Sequence, residues 1–460
     1  MTIATPDPGS FRDPGARVYM SDGAIYRAIM KQGAPAYLAA KDAGLYESLA
    51  EKGLLLPARE VAANIDGAAF TLEHPAIPFI SYPYEWSFAM HRAAALLHLD
   101  LHIEALKEGF TLSDATAYNV QFRGTQPVFI DHMSLRQYRE GEIWAGHRQF
   151  CSQFLNPLLF WSRLRLTPNH WFRGSLEGIA PEELAPLLSF RDKLSWTVMA
   201  HVIAQAKLQR RQVGKDGDAS VRLKTARLPK QALFGMLSGL RRYIAAMRPA
   251  SQETVWAEYA GATSYSGAEK QAKRAFVEDM VRATKPGLLF DLGCNTGDYS
   301  EAALDAGAGY VVGFDFDHAT LDRAYDRFNR GRRPFLPLWM DAANPSPSQG
   351  WAQAERKGFG DRARADALVA LAFVHHIAVG RNVPLAQVVD WLIGLAPAGV
   401  IEFPSKSDAM IQRMLALRED IFVDYTEAEF LAAVKSRARV VRSQHLPENG
   451  RLLVWFDRRP

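Results

Sequence analysis

Two groups of residues in this chain have types and spacings that could do chemistry. In the first, Leu288 to Ser300, an apolar run ends in Asp291, passes Gly293 and Gly297, and enters a helical pattern. A buried parallel strand hands over to a helix in this way. Glycines at the turn let the backbone approach a ligand closely. The next apolar run, Tyr310 to Asp315, ends in a second acid roughly 20 residues on, the distance at which a βαβ unit sets a carboxylate against a ribose. The pattern is Asp-x-Gly-x-x-x-Gly rather than GxGxxG, so side chains share the helix start. A ligand without phosphates tolerates this better than a pyrophosphate does. A turn that binds nothing is the structural alternative.

Acids and histidines recur at the following strand ends. Asp341 closes the run Leu336–Met340, and a carboxylate there accepts from an amino group; capping the turn at Asn344-Pro345 is the local alternative. His375 and His376 follow the run Ala367–Phe373, at the strand end where open α/β sheets bind ligands. A histidine there can take a proton from a nucleophile; hydrogen bonding into the domain edge is the other reading. Glu402 sits inside the apolar run Val400–Phe403, where a carboxylate is costly unless paired or functional. Glu402 and Lys406 are expected to share one crevice.

The second group is Asp114, Asn119 and Asp131, around a short hairpin. An acid near a hydroxyl, with Asn and Asp holding magnesium against phosphates, is phosphotransfer chemistry. Local Asx turns would explain the same residues without function.

The first group resembles motif I of class I S-adenosylmethionine-dependent methyltransferases, and the resemblance runs from about Trp256 to the end. It implies S-adenosyl-L-methionine as cofactor, held by Asp291, Gly293, Cys294, Asn295, Gly297, Tyr299, Asp315, Phe316, Asp341, Ala342 and Leu371. Asp315 matches the ribose-binding acid and Asp341 the acceptor for the adenine amino group. His375, His376 and Glu402 would be catalytic, in methyl transfer to an oxygen or nitrogen acceptor. Tyr259, Tyr265 and Lys273, in the helical lead-in, would lie over the cofactor or simply pack. Stretches such as Asn382-Val383-Pro384-Leu385, Pro404–Asp408 and Phe79–Trp86 resemble a bacterial subgroup related to the nodulation protein NoeA.

The second group resembles the catalytic and metal-binding loops of the protein-kinase and aminoglycoside-phosphotransferase superfamily. That resemblance implies Asp114 as acid or base, and Asn119 and Asp131 as metal ligands. Leu112 stands where that superfamily has a histidine, Asp22-Gly23-Ala24 is poor in glycine, and Arg27 is the nearest cation. A degenerate module used for substrate binding or as a scaffold follows, with ATP-dependent phosphotransfer and a non-catalytic binding protein as alternatives.

The elements that must position these residues form an α/β chain of three parts. Residues 1–205 are expected as an α+β, kinase-like domain that opens on a hairpin turned at Ser21-Asp22-Gly23. Residues 206–250 are expected as a basic helical connector. Residues 251–460 are expected as a Rossmann-like methyltransferase domain, its seven-stranded sheet ending in an antiparallel hairpin across Pro447–Gly450. The 460 residues suffice for two or three cores. The connector's cations, among them Arg210, Arg211, Lys215, Arg222, Lys224 and Arg241, fit a solvated linker first and an RNA guide second. The net charge of +4 permits an anionic partner without requiring one. The two cysteines, Cys151 and Cys294, lie in different candidate domains and imply a reducing cytoplasm. No leader, no bilayer-length apolar run and no Cys/His zinc spacing is read, so neither membrane nor metal is expected. The acceptor's identity has no signal in the sequence.

Overall fold

The structure, a computed structural model, describes residues 5–21, 23–63, 65–214, 227–250, 267–416 and 419–459, with side chains at 210–214 left aside. Trp256, Tyr259, Tyr265, Asp22 and the connector cations Arg210, Arg211, Lys215, Arg222 and Lys224 lie outside the described residues or side chains. The chain divides into two units: Met1–Gln252 with Ser348–Arg356, and Glu253–Pro347 with Lys357–Pro460.

The first unit opens with a five-stranded antiparallel sheet. Its strands are β1 (Thr5–Pro6), β2 (Ala16–Ser21), β3 (Ala24–Ile29), β4 (Arg59–Glu60) and β5 (Phe70–His74), in the order β1-β2-β3-β5-β4. The expected hairpin forms, with Ser21 opposite Ala24 and Gly23 at φ +79°. The helix Phe88–Lys107 runs through the core with His91, His98 and His102 fully buried. Two short ladders follow, β6 (Phe110–Leu112) with β9 (Leu135–Gln137), and β7 (Val120–Arg123) with β8 (Gln126–Phe129). The expected connector differs in its described part. The helix Lys230–Ala246 buries Leu233, Leu237, Leu240 and Ile244, a stripe at helical spacing, and Arg241 pairs with Asp100 of the long helix. That apolar stripe makes it a packed element of the first unit rather than a solvated tether. The segment Ser348–Arg356 also belongs here, through a bidentate Arg12–Glu355 pair at 2.7 and 2.9 Å.

The second unit is one seven-stranded sheet. Its strands are β10 (Leu288–Leu292), β11 (Tyr310–Asp315), β12 (Phe335–Trp339), β13 (Ala367–Ala370), β14 (Ala398–Phe403), β15 (Arg439–His445) and β16 (Leu452–Asp457). The spatial order is β12-β11-β10-β13-β14-β16-β15, parallel up to β14, with β16 antiparallel between β14 and β15. Five strands buried along nearly their whole length read as continuous apolar runs, as a sheet covered on both faces requires. The strand order reverses at β10, the switch point where ligands enter open α/β sheets. Gly313 in β11 lets the turn after β10 close down: a Cβ there would lie 2.6 Å from the Phe335 ring and 2.8 Å from Cys294 Sγ. Strand β13 stops at Ala370, short of the expected Phe373, because Ala372 takes a left-handed conformation with φ +50°. Among the described residues no helix is long and apolar enough to cross a membrane.

Candidate active site

The switch point opens into a cavity of about 740 Å³, lined at the C-terminal ends of β10 to β13. Four turns build it. After β10, Asn295 adopts φ +48°, which asparagine tolerates better than most residues. Its N–H donates to Asp315 Oδ2 at 2.8 Å, and the Asp317 N–H donates to Asp315 Oδ1 at 2.9 Å. The end of β11 is thereby tied to the turn after β10. Burial pushes the Asp315 carboxyl up to about 6, against the pull of those two N–H bonds. The Phe316 N–H adds a third such bond, which leaves the carboxylate capacity for a further donor.

Asp291 behaves otherwise. It is buried behind the loop, does not line the cavity, and accepts from Ser300 Oγ at 2.6 Å. Burial, with Asp315 and Asp298 nearby, pushes it up to about 7. The expected direct cofactor contact is therefore replaced by a structural one, because the acid faces the helix start. Gly297 likewise lies off the cavity: with φ +87°, it is the N-cap of the helix Asp298–Asp305 and packs on Phe328. Gly293, Cys294, Asn295 and Tyr299 do line it.

Phe316 stands half exposed beside the cavity, and its carbonyl accepts from Trp339 Nε1 at 2.9 Å. Asp341 and Ala342 line the next turn, where Asp341 accepts from the Ala343 N–H and faces Arg381 at 3.3 Å. Leu371 follows β13. His375 and His376 come next, with ring centroids 4.1 Å apart, and both line the cavity. His375 is buried and His376 partly exposed. Burial lowers both, His376 to about 4, with the Arg451 charge adding to the shift. Both rings are neutral at pH 7.

Glu402 corrects the expectation of a catalytic carboxylate in the crevice. It is fully buried, does not line the cavity, and is saturated by partners. Lys273 Nζ donates to both of its oxygens at 2.8 Å, Arg451 Nη1 to one at 3.1 Å, and the Ala372 N–H to the other at 2.8 Å. Arg451 Nε also donates to Asp408 at 2.7 Å. Two cations thus meet two anions in a buried site, with the buried Glu269 carboxylate also close enough to act on Lys273, as buried charges need partners. Lys406 points away and pairs with Asp420 on the surface. The lead-in lysine, Lys273, does reach the cavity wall, with its charge spent on Glu402.

No family model matches the chain. Nodulation protein NoeA of Rhizobium meliloti (strain 1021) is 43% identical over 472 aligned positions, which span 100% of this chain and 98% of that protein. The chain belongs to the NoeA family. Among solved structures, this NoeA-family chain is similar to the N-methyltransferase NodS of Bradyrhizobium japonicum WM9, at 12% identity and a TM-score of 0.31 over 42% of this chain and 97% of that one. It is also similar to magnesium protoporphyrin IX methyltransferase ChlM of Synechocystis PCC 6803, solved with bound SAH, at 16% identity and a TM-score of 0.32 over 48% and 95%.

In the first unit of the NoeA-family chain, the expected second group does converge. Asn119 Nδ2 lies 3.3 Å from both Asp114 Oδ2 and Asp131 Oδ2. Arg27 Nη1 donates to Asp131 Oδ1 at 3.0 Å, so a guanidinium already neutralises that acid. Several wall residues escaped the sequence reading: Arg451, Arg381, Met410 and Met414. Arg451 alone carried a signal, as a charge opening an apolar strand directly after the Asn449-Gly450 turn.

Proposed function

We propose that the second unit binds S-adenosylmethionine and transfers its methyl group to an oxygen or nitrogen acceptor. The observation that carries this is Asp315, held by the Asn295 and Asp317 N–H groups at the wall of the cavity. The residues fit the cofactor. Asp315 would accept from ribose hydroxyls, and Asp341 from an adenine amino group. Phe316 and Leu371 supply apolar faces, and Gly293, at φ +77°, allows close backbone approach. The volume falls in the range of small-molecule sites.

When bound, the cofactor supplies a methyl group on an electrophilic sulfonium. The chain's part is to position the acceptor and move its proton. His376, neutral and partly exposed to the cavity, takes that proton on a ring nitrogen, and buried His375 packs behind it. Glu402 acts as a positioning residue: through the Ala372 N–H it sets the ledge Leu371–Phe373.

Calorimetry tests this reading. Asp315→Ala removes two hydrogen bonds to a charged acceptor, each worth about 1.5–3 kcal/mol, so S-adenosylmethionine affinity should drop roughly 100-fold or more. Unchanged binding in that variant would sink the assignment. Labelled methyl donor in cell extract would then sort the acceptor by size and class.

The convergence of Asp114, Asn119 and Asp131 supports a second reading, ATP-dependent phosphotransfer by the first unit. Arg27 on Asp131 favours a degenerate, substrate-binding module instead. Phosphate transfer from ATP that Asp114→Asn abolishes would restore the catalytic version.

A further inference from the structure

The first unit contains a polar cluster that the methyl-transfer reading does not use. His147 opens the helix His147–Phe150, and Cys151 opens the π-helical turn Cys151–Leu155. His201 lies in a second π-helical turn, Met199–Ile203, and Gln205 in the helix Ala204–Gly214 that continues it. Both pairs are four residues apart, so each puts its two side chains on one helix face. The two faces meet. His147 Nε2 lies 2.8 Å from His201 Nδ1, and Gln205 Nε2 lies 2.9 Å from His147 Nδ1 and 3.6 Å from Cys151 Sγ. One ligand atom each from His147, Cys151 and His201 falls within 4.8 Å of the others. Cys151 is fully buried, and buried Gln205 Oε1 has no hydrogen-bond partner among the described residues.

We infer that this cluster binds a divalent, borderline-soft metal ion, Zn²⁺ first, through His147 Nε2, His201 Nδ1 and Cys151 Sγ. Two imidazoles and a thiol are the donors such ions select, and a water would fill the fourth position that three protein ligands leave. The dimensions agree. Tetrahedral bonds of about 2.0–2.3 Å set ligand atoms roughly 3.3–3.7 Å apart, so the imidazole pair has to open by less than about 1 Å. Gln205 completes the design. With its amide turned over, Oε1 accepts from His147 Nδ1–H, which fixes the tautomer that leaves Nε2 free for the metal.

On binding, the Cys151 S–H bond breaks, its proton leaves to solvent, and a sulfur–metal bond forms. A widened π turn on each helix, where such turns often mark functional sites, sets the donors facing each other. The ion would pin the two helices together in the first unit, independently of any chemistry in the second.

Cobalt titration of the full chain, stripped of metal, is the test. We expect one Co²⁺ per chain, with a thiolate-to-metal charge-transfer band, visible absorption strong enough for four-coordination, and displacement of both by Zn²⁺. Cys151→Ser should abolish the charge-transfer band. Gln205→Leu, which keeps the ligands, should weaken Zn²⁺ binding by about 10–100-fold; it serves as the second variant if Cys151→Ser does not fold. Cobalt bound without the thiolate band, a band that survives Cys151→Ser, or wild-type zinc affinity in Gln205→Leu would overturn the assignment. None of these readouts depends on methyl transfer.

Discussion

Glu402→Gln is the most exacting perturbation of the second unit, because it removes one charge and almost no volume. In the wild type, Lys273 and Arg451 face Glu402 and Asp408, two cations against two anions, all four nearly excluded from water. The variant leaves two cations and one directly paired anion, Asp408, with a glutamine N–H group set against the Lys273 ammonium. Breaking a buried pair from one side costs about 3–5 kcal/mol. A second loss lies at Ala372, whose left-handed backbone is held by its N–H bond to Glu402. Such a residue carries roughly 1–3 kcal/mol of strain that its surroundings must sustain. Lys273→Met should cost a similar amount, for the mirror-image reason. In the double variant Arg451 and Asp408 remain balanced, so the penalties should fall short of their sum by about 2 kcal/mol or more. Because a two-unit chain need not unfold in one step, the assay is native-state hydrogen exchange, read on peptides from β10 to β16. Exchange there should speed up roughly 100-fold or more in either single variant, and less than the product of the two in the double. Independent, additive penalties, or an unchanged Glu402→Gln, would refute the reasoning that the network holds the ledge.

Methyl-donor affinity should depend on pH through Asp315. Its folded pKa is raised from 3.8 to about 6, so at pH 5 about one carboxyl in eleven is ionised. Calorimetry should show binding about tenfold weaker at pH 5 than at pH 8, and Asp315→Asn should flatten that profile. The sign for folding is opposite. A raised carboxyl binds more protons when folded, so the stability that Asp291 and Asp315 contribute is full below about 3.8 and lost as pH rises through about 6 and 7. Gly313→Ala should destabilise the second unit by about 1–3 kcal/mol, since its Cβ would strike the Phe335 ring and Cys294 Sγ. Faster exchange in β11 would report the loss, and adding Phe335→Leu should recover part of it. Lys406→Ala should leave donor affinity unchanged, because its ammonium is held by Asp420 away from the cavity; a weaker donor would return Lys406 to the site.

What the sequence revealed and what it hid follow from how far each interaction reaches along the chain. The sheet was legible because a strand covered on both faces must be apolar over its length, and β10, β11, β13 and β14 satisfy this within a few residues each. Asp315 was legible for the same local reason, as an acid ending such a run. Asp291 shares that pattern and yet points the other way. The direction of a side chain at a strand end depends on the turn beyond it, here the Ser300 hydroxyl nine residues on. Glu402 stands out in the sequence as an anomaly, but its role is hidden there because its partners come from 129 and 49 residues away. A buried carboxylate signals only that some cation must meet it. Which cation, and whether any charge is left over for substrate, is settled by packing. The same holds for His147 and His201, 54 residues apart, each ordinary on its own helix. Local rules can nominate a charged or ligating residue, and three-dimensional neutralisation decides whether it is free to act. On that criterion Asp315, at the cavity wall, keeps capacity for a further donor, whereas Glu402 and Lys406 are already answered by other side chains.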